Sequence, residues 1–472
     1  MTMPTLTGTR VSVGSRSSTV DYYPSSSTGS GPAYKVGFAA TPTGIGVGDI
    51  GLMSAKAAGD SGGTASDYKY RVDAIDGSTI TLTYLFDSEE NGDASPLGLF
   101  SGSGSSSDGE QTFMTFERAF STLTAFEGLV EATDDLYWGA SDDVVALCYA
   151  DSTFVGDNRV YFDNKQSLSS VSITAASGER HSGIHVENSH VVIKPTANAG
   201  HNNGIIDVSI DNFLIQFIDI DMDGLDSRDT NKAIVLRGTN DNCMIRNNLI
   251  HDKGGNPGNT GPQAIYIAAA GASSDNIYIL NNIIYNFVET DNDSAAAMLL
   301  NPWAGGAYIY NNTIYNIQGA GSSKHGIGIR FGNVASSNTR IKNNLVSKCE
   351  GPNLDAAFWK NISGSTVDSA NNLSDDTANA TYNAEDMGQN LNDSSALTGK
   401  SAAQIDFVST TGGSEDLHID TDSVCIGAGV DVGSVSGINI DIDEQTMSGD
   451  RSIGADFVSG DTGSPAFLVF LN

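Results

Sequence analysis

The sequence is short of positive charge, of cysteine and of long apolar runs, and each shortage removes a class of function. Lys and Arg number 24 against 57 Asp and Glu, a formal net charge of -33. Gripping a phosphate backbone takes clustered Lys and Arg, so nucleic acid is not an expected partner. An anionic membrane surface is excluded for the same reason. The four cysteines, Cys148, Cys243, Cys349 and Cys425, stand far apart and form no C-x-x-C pair. They read as small buried hydrophobes. No apolar stretch approaches the roughly 20 residues of a membrane span. The opening Met1-Thr2-Met3-Pro4-Thr5 lacks the basic stretch and apolar core of a signal peptide. A soluble protein outside the general secretory route is the expectation. G-x-S-x-G, the phosphate-binding G-x-x-x-x-G-K-[ST] and H-E-x-x-H are also missing.

What fills the space is Gly, Ser, Thr, Asn and Asp. Such a mix suits many short strands joined by tight turns. Residues 1–32 are Ser-, Thr- and Gly-rich and read as an extended N-terminal arm, although Thr9-Arg10-Val11-Ser12-Val13 alternates like a strand in want of a partner. Residues 33–112 read as a small β domain. Tyr68–Val72 and Thr79–Tyr84 alternate in period two around Asp76-Gly77-Ser78, a hairpin signal. From 113 the period changes. Phe113, Phe116, Phe120, Leu123, Phe126 and Val130 recur at threes and fours, predicting an amphipathic helix over 113–133 with Thr124 and Glu127 as a capping box. Placed before a solenoid, it would cover apolar residues of the first coil.

A repeat begins near residue 181. Met244–Ile250, Tyr278–Ile284, Tyr308–Ile314 and Arg340–Val346 each carry an Asn-Asn pair, with a weaker copy at Asn371-Asn372 and an Asn-free one at Leu214–Ile220. The second Asn falls at 248, 282, 312, 344 and 372, steps of 34, 30, 32 and 28 by subtraction. A second strand keeps the same beat at Ala233–Leu236, Ala264–Ile267, Ala297–Leu300 and Gly326–Ile329. Two strands locked to one period mean stacked coils, with neighbouring strands roughly 4.8 Å apart. Ile245, Ile279, Ile309 and Ile341 should form one inward column; Ile250, Ile284, Ile314 and Val346 should form another. The Asn pairs would sit at the bends, bonding to the coils above and below. The fold class expected is all-β: a right-handed parallel β-helix solenoid over 113–400, with a short N-terminal capping helix and the small N-terminal β domain. Residues 401–472 would be a C-terminal cap and apolar tail.

The I-x-N-N-x-I segment resembles the right-handed parallel β-helix (pectate lyase-like) superfamily. Phe120–Glu127 before Val145–Asp151, then Ala176–Gly183, follow an order similar to β-helix virion proteins encoded by tailed phages. So do Asp416–Ile419, Ser423–Gly429, Asp441–Asp443 and Asp450–Asp456 in the tail. The resemblance implies a terminal cap, a homotrimer and other virion proteins as partners.

Fold does not fix chemistry, so site residues are weighed singly. Asp219, Asp221 and Asp223 alternate along a strand and, with Asp226 and Asp229, are the fallback catalytic candidates. They imitate the start of a calcium loop, but Thr230 stands where its bidentate Glu belongs. A solvated acidic edge is the plainer reading. Glu179, His181, His185 and Glu187 lie close without a metal motif, and Asp441, Asp443 and Glu444 read as structural. Tyr278 and Tyr308 share one column; Tyr285 and Tyr315 share another, preceded by His251. Facing outward, these tyrosines would contact a host surface glycan or a neighbouring subunit; facing their own coils, they would simply stack. Phe467, Leu468, Val469, Phe470 and Leu471 form the most apolar short run and an attachment candidate. The expected function is a structural part of a phage particle, a capsid decoration protein, spike or fibre, assembled in the host cytoplasm without metal or cofactor. The alternatives are a carbohydrate-active tailspike and an extracellular or cell-surface filament protein.

Overall fold

The computed structural model of the chain describes residues 9–14, 20–22, 24–29, 33–38, 43–54, 69–85, 113–132, 138–139, 141–197, 199, 203–225, 232–238, 240–254, 261–268, 276–290, 294–301, 306–320, 325–331, 339–351, 354–360, 367–375, 381–382, 395–433, 438–447 and 451–458. The apolar run Phe467–Leu471 and the acids Asp226 and Asp229 lie outside the described residues.

Three parallel sheets of nine, eight and seven strands wind into a parallel β-solenoid. Each coil runs from the first sheet, through the Asn-Asn corner, to the third sheet and on to the second. One coil reads Met244–Arg246, Leu249–Gly254, Gln263–Ala268, and the next starts at Ile277–Leu280. The expected columns form: Ile245 pairs with Ile279, Ile279 with Ile309, and Ile309 with Ile341. Ile250, Ile284, Ile314 and Val346 pair likewise. All eight are buried in one apolar column that extends from Val11 to Val367.

The second-sheet alignment needs a correction in its fourth copy. Ile329, not Ile327, pairs with Met298. The small residue of each copy explains the shift. Gly328 lies where Ala297 and Ala264 lie in earlier coils, and a Cβ there would stand 2.4 Å from Val346 Cγ1. The solenoid also starts earlier than the repeat suggests. Asp143–Cys148 and Ser170–Ala175 are first-sheet strands, and Thr9–Val13 pairs in parallel with Asp143–Cys148. The N-terminal strand thus finds its partner within its own chain.

The predicted helix is shorter than its period. Phe113–Glu117 is a strand, and the helix spans Leu123–Glu131 with Thr122, not Thr124, as N-cap. Backbone pairing of Phe113–Glu117 with Ile50–Ser54 wins over the helical spacing there. Thr124 instead donates its hydroxyl to Asp157, which also accepts the Leu123 and Thr124 amides. Leu123, Phe126 and Val130 join the solenoid core. A seven-stranded antiparallel sheet contains the expected hairpin, Lys69–Asp76 with Thr79–Leu85, and draws further strands from Val20–Tyr22, Pro24–Gly29 and Phe113–Glu117.

The Asn-Asn corners do two jobs. The second Asn of each pair is buried and forms a ladder. The Nδ2 of Asn248, Asn282, Asn312 and Asn344 donates to the Oδ1 of the next Asn at 2.9 to 3.1 Å. The same Oδ1 accepts the backbone N–H of the Asn one coil back. At the Asn-free copy the ladder ends on backbone, with Ile218 N donating to Asn248 Oδ1. The first Asn of each pair has φ between 51° and 57°, a left-handed conformation that Asn tolerates.

Those first Asn side chains reach outward and hold the C-terminal segment. Asn371 donates to Ala428 O, Asn343 to Val430 O, Asn281 to Ile440 O and Asn247 to Asp441 O. As the strap advances from 428 to 441 it steps back from the coil of Asn371 to that of Asn247. Between 428 and 441 the described residues of the C-terminal segment therefore form a strap along the flank. Hydrogen-bonding capacity at every corner is what directs it there.

Candidate functional site

The strap explains the tyrosines. Tyr285 and Tyr315 are buried with Leu249 and Ile283 against Leu417, Ile442 and Ala455 of the strap. Tyr278 is buried and stacks on half-buried Tyr308, centroids 4.7 Å apart, beside Ile438 and Val432. The outward aromatic stripe is thus corrected. The rings do leave the solenoid core, but the chain's own C-terminal segment covers Tyr285 and Tyr315 and packs on the other pair. Removing such area from water is worth about 25 cal/mol per Å² of apolar surface, which favours this cover over an open stripe.

The acidic strand is corrected too. Asp219 and Asp221 are buried, not a solvated edge, while Asp223 remains exposed. A buried carboxylate needs donors, and three imidazoles supply them. His185 Nδ1 and His190 Nε2 each lie 2.7 Å from Asp219 Oδ2, and His251 Nε2 lies 2.8 Å from Oδ1. Lys194 Nζ donates to Asp221 Oδ2 at 2.7 Å. Neighbouring coils bring these groups together. Asp219 pairs with Leu249 and Asp221 with His251 across the third sheet, while Val192, between His190 and Lys194, pairs with Asp219 on the other side. His185 comes from the turn before.

Electrostatics follows from this packing. Burial opposes the charge of Asp219, but the three imidazoles, His251 foremost, hold its carboxyl well below the usual range. Burial likewise opposes protonation of His251, yet Asp219 and Asp252 raise it to about 10. The hydrogen bond that His185 makes to the Asp219 carboxylate raises His185 as well. His181, buried without such a partner, falls to about 4 chiefly through burial. Five of the seven histidines, His181, His185, His190, His251 and His418, meet on this flank. His190 and Lys194 had no signal in the sequence beyond their residue types. His251 appeared only as the odd member of the tyrosine column, where it stacks on Tyr285 at 4.9 Å.

A second ionic cluster pins the strap. His418 lies 2.5 Å from Asp416 and 3.0 Å from Asp443 through its two ring nitrogens, and its ring abuts Gly183 of the histidine-bearing turn. Asp441 is buried and accepts the backbone N–H groups of Asp443 and Gln445, so the structural reading of this acidic run fits its contacts. Glu444 pairs with Arg180. Between the solenoid and the strap hairpin Phe407–Thr411/Ser414–Ile419 opens a groove of about 400 Å³. Asp252, Asn286, Asn316 and Glu415 line it, with Lys348 and Tyr315. Its amides form a bonded row, Asn286 to Asp252 at 2.7 Å and Asn316 to Asn286 at 2.6 Å.

These features define the chain as a parallel β-solenoid with an intramolecular strap and a buried histidine–aspartate cluster on the strapped flank. No protein-family model, curated protein or solved structure matches it. What the structure shows is the parallel β-solenoid itself, and the comparisons tie it to neither pectate lyase-like nor phage proteins.

Proposed function

We propose that the protein is a structural component of a phage particle, a capsid decoration protein, spike or fibre. The observation that carries this reading is where the polar side chains are spent. The corner asparagines tie coil to coil and strap to coil, and the buried carboxylates Asp219, Asp221 and Asp441 are each held by donors of the same chain. That is the economy of a rod built to persist, and the net charge of -33 keeps copies of it apart except at built contacts. The resemblance of the corner repeat to virion β-helices supports the particle and a homotrimeric state. Antibodies raised to the purified chain, gold-labelled and imaged on particles from its source, should decorate them at one kind of position. Light scattering of the purified protein should give three chains. Absence of label from every particle, with label on cell envelopes, would move the protein to the cell surface and sink this reading.

The groove favours a second reading, a glycan-binding or glycan-cleaving flank. Its row of amides and carboxylates offers paired donors and acceptors to hydroxyl groups. Release of reducing ends from host capsule or lipopolysaccharide, lost on Asp252→Ala, would establish it.

A further inference from the structure

We propose that His185, Asp219 and His251 form a binding site for a divalent first-row transition ion of the zinc class. The ligand atoms of these three residues, all on the strapped flank, lie within 4.8 Å of one another. Two imidazoles and one carboxylate are a set such ions favour, whereas calcium takes oxygen. The outer contacts are those that metal sites use to fix their ligands. His251 presents Nε2 to the site because Nδ1 is held by Asp252 at 2.8 Å. Asp219 is aimed by His190, which itself leans on Ser189 Oγ at 2.9 Å. The site has a door: His251 and Asp219 are fully buried, but the His185 side chain is 24% exposed. Asp221 and Asp252 lie beside it and add negative potential that draws a cation in. Ligand atoms around a tetrahedral ion sit about 3.3 Å apart for bonds near 2.0 Å. The His185···Asp219 contact must therefore open by roughly half an ångström, which a rotation of the partly exposed His185 ring supplies, and the His251···Asp219 contact must open by a similar amount as the ion replaces the proton between them. The group of His418, Asp443 and Asp456 offers one imidazole only, a poorer set for such an ion.

The test uses the full chain, stripped with a chelator and titrated separately with zinc chloride and cobalt chloride. One ion should bind per chain. Cobalt should give the intense visible bands of a low-coordinate nitrogen- and oxygen-ligated ion, and zinc should raise the melting temperature. His185→Ala, at the door, should weaken binding by about tenfold or more. Asp252→Asn, which loosens only the outer contact, should weaken it by about tenfold. Both should leave the circular dichroism unchanged. Binding that is absent, or equally strong in the wild type and both variants, would overturn the proposal. If His185→Ala does not fold, the Asp252→Asn titration and the cobalt spectrum decide.

Discussion

Asn312 is the sharpest place to test whether the corner ladder holds the solenoid together. Its side chain is fully buried. Oδ1 accepts Asn282 N and Asn282 Nδ2, both at 3.0 Å, and Nδ2 donates to Ile279 O at 2.9 Å and Asn344 Oδ1 at 2.9 Å. In Asn312→Ala the Asn282 N–H faces a small cavity instead of an oxygen, and the Ile279 carbonyl loses a donor. An unsatisfied buried group costs about 1–3 kcal/mol, so the two together, with the cavity, should cost roughly 3–5 kcal/mol. Urea unfolding followed by circular dichroism would read the loss as a lower midpoint. Hydrogen exchange should localise it to peptides spanning 277–288 and 307–318, because each coil of a solenoid leans only on its neighbours. Asn312→Asp sharpens the test. It keeps the acceptor but sets a carboxylate oxygen against Ile279 O and Asn344 Oδ1. It should destabilise at neutral pH and recover in part in acid, where the protonated group can donate. A loss below about half a kcal/mol in Asn312→Ala, or no acid recovery in Asn312→Asp, would refute a load-sharing ladder.

Ile309→Ala, in the inward column, should cost about 2–5 kcal/mol by the same urea measurement, and a negligible change would place Ile309 outside the core. Gly328→Ala should destabilise the coils around it, because the new Cβ would stand 2.4 Å from Val346 Cγ1 and 2.5 Å from Ala357 O; wild-type thermal stability would contradict this packing. The strap should loosen as pH rises. Burial opposes the charge of His418, but Asp443 and its acidic neighbours raise it to about 9, above the ordinary value near 6.5. Its contribution is full below about 6.5 and gone above about 9. Asp441, lifted to about 7 mainly by burial, acts in the same direction between about 4 and 7. Protease cleavage within the strap should therefore quicken from pH 6 to 9.5, and His418→Gln should flatten the upper half of that rise.

The fold was legible in the sequence because a solenoid writes its period directly. Ile245, Ile279, Ile309 and Ile341 recur at the spacing of coils, and the bends between strands demand residues that tolerate positive φ, which is why Asn marks them. The misreadings came where two signals compete. The period of threes and fours through Phe113 and Phe116 gave way to pairing with Ile50–Ser54, a long-range contact that no local pattern encodes. Gly326 and Gly328 look alike as letters and both are closely approached, so only the register between strands, with Gly326 opposite Ala295 and Ile329 opposite Met298, tells which one takes the place of Ala297.

The site was hidden for a related reason. Its members come from His185, His190, Asp219 and His251, so their proximity depends on the register between coils that lack a common motif. Asp219 and Asp221 announced themselves by alternation, but alternation on a solenoid says only that two side chains share a face. Whether that face meets water depends on what lies over it, and here Asp219 is covered by the His185–His190 turn and His251, with the strap's His418 packed against that turn at Gly183. The corner asparagines contain the missing clue. Each pair has one Asn whose bonds are met within the stack and one with capacity beyond it: Asn343 Nδ2 donates once inside the stack, to Asn311 Oδ1 at 3.0 Å, and keeps a second N–H and its own Oδ1 for another partner. Val430 answers Asn343 on both sides, accepting at 2.8 Å and donating at 2.8 Å. A repeated polar residue in excess of what its own coil can satisfy predicts a second layer of chain over that corner, and a strapped flank is where buried carboxylates such as Asp219 can be kept.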